Sequence, residues 1–170
     1  MTFTHAVLFE GLGSLSRYLA LVDKYSDKRL IFANIAEIYL AKEMKAEALS
    51  YAERAWEANR DNGLGQFVYA KMLVANGRYH DAERILRIPR RKIELSEAVR
   101  ELWKDIMSHC VREDLSARSF LRALDRINYY LLVYPEDPAF LEFKAHAEQE
   151  LRKEQDARNP EKNADMPLPL

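Results

Sequence analysis

Residues 31–62 and 65–87 superpose at a fixed offset of 34 residues, and small side chains fall at matching places in both. At that offset Ala36 matches Ala70, Ala41 matches Ala75, Ala48 matches Ala82, and Tyr39 matches Leu73. A period of this length suits two helices joined by a turn, a unit that cannot bury its apolar face alone. Copies must therefore stack, each helix pair covering the next, into a helical solenoid. The recurring alanines mark where two helix backbones approach closely, because a larger side chain would hold them apart.

Helical spacing extends over almost the whole chain, with no alternating strand of useful length. Gly11 and Gly13 set a break after a short apolar piece at 6–9, and Ser14 is the expected N-cap of a helix carrying Leu15, Tyr18, Leu19, Val22 and Tyr25. Helices are then expected at about 29–42, 45–58, 63–76 and 79–88, where Pro89 ends the pattern. Ser96 begins a helix to about 113, with Glu97 in the first turn where a negative charge suits the dipole. A further helix runs about 116–134. The sequence YPEDP then stops and restarts the chain, with Asp137 as N-cap and Pro138 in the first helical position. The last helix ends near 155, and the polar, proline-containing residues 156–170 read as a disordered tail after a helical domain at 1–155.

These helix pairs resemble tetratricopeptide repeats, whose pattern is a large residue, a Leu-Gly or Leu-Ala pair, a Tyr, then spaced small and aromatic residues. The first repeat reads Phe32, Ile35, Ala36, Tyr39, Ala48, Ala52 and Ala55; the second reads Gln66, Tyr69, Ala70, Leu73, Ala82 and Leu86. A degenerate third carries Trp103, Ile106, Met107 and Cys110, then Ala123, Ile127, Tyr130 and Pro135. Ala82 and Ala123 are 41 residues apart, so about seven residues are inserted, divided between the PRRK linker and the REDLSAR turn. The helix from Ser14 resembles the second half of a leading repeat, and the last helix a terminal cap. The resemblance implies an all-α solenoid of antiparallel helix pairs whose first helices line a concave groove. It places Ala33, Asn34, Glu37, Leu40, Phe67, Lys71, Val74, Lys104 and Ser108 on that groove. The partner implied is another protein, presented as an extended or helical segment. The Lys/Asn cluster with which some members clamp a terminal carboxylate is missing, so that mode is not expected.

Other chemistry is sparse. His5, His80, His109 and His146 lie on different elements, and no catalytic or phosphate-binding motif is present. Glu142, His146 and Glu150 are four apart on one helix, a spacing better read as exposed pairs than as a metal site. Cys110 shares an apolar face with Trp103 and Ile106 and reads as a buried small hydrophobe. No catalytic residue, metal or cofactor is expected. A basic run, Arg84, Arg87, Arg90, Arg91 and Lys92, could dock an acidic partner or RNA, but Glu83, Glu94 and Glu97 partly neutralise it. With a net charge of −1 over 170 residues, nucleic acid is the disfavoured partner. No apolar run approaches the roughly 20 residues that span a bilayer. The absence of such a span and of a signal peptide, with a single cysteine, points to a cytoplasmic protein. The expectation is a non-catalytic scaffold or adaptor, in the manner of a chaperone or assembly factor, with self-association left open. The alternatives are a permanent structural subunit of a larger assembly, membrane-associated or not, and a binder of nucleic acid or an acidic partner acting through the basic run.

Overall fold

The computed structural model describes residues 11–86, 88 and 95–158, and every regular element among them is an α-helix. In chain order these are α1 (Gly11–Val22), α2 (Arg29–Ala41), α3 (Lys45–Glu57), α4 (Gly63–Ala75), α5 (Tyr79–Ile85), α6 (Glu97–Ser116), α7 (Phe120–Val133) and α8 (Pro138–Arg158). The chain forms two compact units, Met1–Arg87 and Ile88–Leu170. In the first, α1 packs on α2, α2 on α3, α3 on α4 and α4 on α5, and α2 also touches α4. In the second, α7 packs on both α6 and α8, and α6 touches α8.

Three of the connections are the same turn. Each leaves its helix through one residue with positive φ: Glu43 at 60°, Gly77 at 72° and Arg118 at 55°. Around Glu43, the Glu43 amide donates to the Leu40 carbonyl at 2.9 Å and the Met44 amide to Tyr39 at 3.0 Å. Gly77 donates to Val74 at 2.9 Å and Arg78 to Leu73 at 2.9 Å; Arg118 donates to Leu115 at 3.0 Å and Ser119 to Asp114 at 2.8 Å. This is the Schellman arrangement, which satisfies the last carbonyls of a helix and reverses the chain in few residues. Only Gly77 adopts it without steric cost. Glu43→Gly should therefore stabilise the protein by about 0.5–1 kcal/mol, and Gly77→Ala should destabilise it by a similar amount. Open space surrounds a Cβ built on Gly77, so the effect there is conformational only. Chemical denaturation of both variants checks the pair, and equal signs would contradict the turn.

The turns align the hairpins. Ala48, Ala82 and Ala123 each lie five residues after the positive-φ residue, and all three are fully buried. Seven residues before it lie Ala36, Ala70 and Val111, also fully buried. The third hairpin is thus displaced by 41 residues in both of its helices, and its extra residues all precede the packed part of α6. The expected division of the insertion between linker and turn is corrected: α6 continues through residues 112–116, which contain neither glycine nor proline to stop it. Val111, not Met107, holds the place of Ala36, and Asp114, not Cys110, that of Tyr39.

Three helix ends bear on the capping residues expected above. The helix expected from Ser14 already includes Gly11 and Gly13, since glycine in a first turn weakens a helix without breaking it. Ser96 holds the N-cap position of α6, but its side chain makes no capping bond. Asp137 does cap α8: its Oδ1 accepts from the amides of Ala139 at 3.1 Å and Phe140 at 3.4 Å. The sequence also hid a contact. Gly65, capped by Asn62, lies so close to α3 that a Cβ there would sit 3.1 Å from the Ala55 carbonyl oxygen and the Trp56 Cα. The apolar piece at 6–9, Arg87, Arg90, Arg91, Lys92 and the residues from 159 onward lie outside the described part of the chain.

Candidate functional site

The residues that the repeat pattern assigns to a groove fall into two sets. In the first unit, α2 supplies Ala33, Asn34, Glu37 and Leu40, and α4 supplies Phe67, Lys71 and Val74. Positions three, four and seven apart share one face of a helix, so each helix presents these residues as a stripe. The stripes are joined directly: Lys71 Nζ donates to both carboxylate oxygens of Glu37, at 2.7 and 2.9 Å. Glu37 and Lys71 are themselves 34 residues apart, so the bridge links equivalent positions of successive hairpins. Ala33 is buried and forms the floor, while Asn34, Glu37, Leu40, Phe67, Lys71 and Val74 are half-buried. Leu30 and Leu64, which the sequence did not single out, occupy equivalent first-turn positions and are 54% and 45% exposed. The helix starts expected near 29 and 63 put both leucines in first turns, but their exposure depends on what the neighbouring helices leave uncovered.

In the second unit, Lys104 and Ser108 have other surroundings. Ser108 is buried, and Lys104 Nζ lies 2.7 Å from Asp137 Oδ2. Asp137 therefore gathers the first amides of α8, the Lys104 ammonium of α6 and the Tyr130 hydroxyl of α7, which donates at 3.2 Å. Burial pushes its carboxyl up, but the Lys104 hydrogen bond and charge, the Phe140 amide and Tyr130 outweigh this and hold it below the usual range. Burial, followed by the Asp137 charge, pushes the Tyr130 phenol up. Because the folded carboxyl is the stronger acid, its stabilising effect is complete above the unfolded pKa, near 3.9, and is lost as pH falls through the lower folded value. The stability difference between wild type and Asp137→Asn should be constant above about pH 5 and shrink below about pH 4. Urea titrations across that range measure it, and a difference that grew on acidification would contradict the assignment.

An acidic group that sequence reasoning missed sits in the same unit. Asp114 on α6 is completely buried, and its two carboxylate oxygens accept from Arg122 and Arg126 of α7. Arg126 is nearly buried and Arg122 largely exposed. The available signal was the pair of arginines four residues apart, on one helical face opposite a carboxylate. Within the basic run, the described Arg84 is bonded to Asp81, which also accepts from Arg78 at 2.7 Å. On α8, Glu142 and His146 are exposed and Glu150 accepts from Lys153 at 2.6 Å, the local pairing expected of that helix. Among the described residues, no helix is long and apolar enough to cross a membrane. No protein-family model, curated protein or solved structure matches this chain.

Proposed function

We propose that this chain is a non-catalytic scaffold of tetratricopeptide-like helix hairpins that holds a protein segment on the open face of α2 and α4. The observation that carries the reading is the state of that face. Two neighbouring helices present matched stripes whose apolar members, Leu40, Phe67 and Val74, stay half-exposed. Their charged members, Glu37 and Lys71, neutralise each other. A face that is apolar, electrically balanced and backed by a packed second layer of helices suits burial of an apolar segment better than capture of a charged one. Within the first unit, the like turns at Glu43 and Gly77, the buried alanines and the contact of α2 with α4 support stacked hairpins of this kind. An adaptor or assembly factor is the role such a scaffold serves.

The test begins with affinity purification from the native source. The co-purified protein is then titrated against folded variants. Phe67→Ala should weaken binding by about 2 kcal/mol, the loss of a partly desolvated aromatic anchor, while Arg84→Glu should leave it unchanged. A dominant effect of Arg84, with steep salt dependence, would instead favour the basic run as the docking site.

A further inference from the structure

We infer that the α2–α4 face pairs with the same face of a second copy of this chain across a two-fold axis. This rests on the proposed reading of that face as a docking surface and names its occupant. The face is complementary to itself. α2 and α4 lie side by side, and two successive hairpin reversals make them run in the same direction. Equivalent positions on the two helices are Leu30 and Leu64, Glu37 and Lys71, and Leu40 and Val74, each separated by 34 residues. An axis lying in the interface, parallel to the helices and midway between them, turns the face over and exchanges the two members of every pair. Leu30 of one copy then meets Leu64 of the other, and Leu40 meets Val74. Glu37 meets Lys71 twice, once on each side of the axis.

Such an isologous contact needs a surface whose two halves complement each other, and opposite charges at repeat-equivalent positions supply that. Had both positions held the same charge, this axis would stack like on like. The intramolecular bridge remains half-exposed, with side-chain exposures of 38% for Lys71 and 27% for Glu37, so both groups can add a second partner. The leucine rank and the ion-pair rank are seven residues, or about 10 Å, apart along the helices, so apolar and charged contacts do not compete for the same space. The contact draws only on the exposed stripes of two 13-residue helices, so a concentration-dependent dimer is the form expected.

Sedimentation velocity on the full chain, from low micromolar to submillimolar concentration, tests this. Wild type should shift from monomer to dimer. Glu37→Lys and Lys71→Glu should each weaken the dimer about tenfold or more, since each places like charges opposite one another. An equimolar mixture of these two variants should dimerise again, and so should the double charge-swap variant. Circular dichroism reports whether each variant is folded; if one is not, Leu30→Asp with Leu64→Asp, at exposed positions, replaces it and should abolish the dimer. A monomer at every concentration, a dimer indifferent to these changes, or a mixture no stronger than its parts would overturn the inference. A monomeric wild type whose partner capture still depends on Phe67 would overturn the second copy and leave the scaffold reading intact. A dimer with no groove-dependent capture would do the opposite.

Discussion

Asp114→Ala should cost about 3–5 kcal/mol, the penalty for removing one partner of a buried ion pair and leaving the other charge uncompensated. The Asp114 side chain is fully buried against Arg122 and Arg126, so little solvent is at hand to rehydrate the nearly buried Arg126. The carboxylate occupies the position held by Tyr39 and Leu73 in the other two hairpins, where the contact between helices is apolar or aromatic. That equivalence suggests a second variant. Asp114→Leu combined with Arg126→Leu removes the two least exposed charges, leaves the largely exposed Arg122 to water, and should recover most of the lost stability, since apolar replacements of buried ion pairs are often neutral or stabilising. Chemical denaturation of the two variants decides the matter. If the single variant lost less than about 1 kcal/mol, the clamp would be ornamental to the fold of this unit.

Trp103→Ala should cost about 3–5 kcal/mol, through lost burial and the cavity left behind. The indole is 1% exposed and sits among three tyrosine rings. Its centroid lies 4.8 Å from Tyr130, 5.7 Å from Tyr129 and 6.0 Å from Tyr134. Tyr130 in turn stacks on Phe140 of α8 at 3.7 Å, so one residue of α6 anchors an aromatic column through all three helices. Trp103→Phe keeps part of that contact and should recover more than half of the loss. Near-ultraviolet circular dichroism should lose signal in step with stability. An alanine variant as stable as wild type would mean that the column does not hold the unit together.

Much of this architecture was legible in the chain. The helix positions followed from apolar spacing, because burial of one stripe is the main force that holds a helix in a folded protein. The alanine contacts were legible for a related reason: Ala36, Ala48, Ala70 and Ala82 recur at one offset, and all are fully buried. Asp137 and Pro138 marked the start of α8 because capping and proline geometry are local. The turn after α6 was not legible. Five of residues 112–118, Arg112, Glu113, Asp114, Ser116 and Arg118, are polar, and polar residues serve equally well on a solvent face, in a turn or, as with Asp114, in a buried ion pair. Whether that carboxylate met water or two guanidinium groups depended on the register of α6 against α7, which a positive φ at Arg118 sets at the end of the helix.

The candidate site divides in the same way. Glu37 and Lys71 could be named from the repeat, and so could the helices that carry them. That they touch, at 2.7 Å, depended on the distance between α2 and α4. Lys104 could be named as well, but it is satisfied by Asp137, a partner brought to it by the turn between α7 and α8. By itself the sequence determined where most of the helices run and, in the first two hairpins, which small side chains let helices meet, because those are matters of local spacing and size. Only the tertiary structure decided which charges are paired and which leucines stay exposed, because both depend on what neighbouring helices place opposite them.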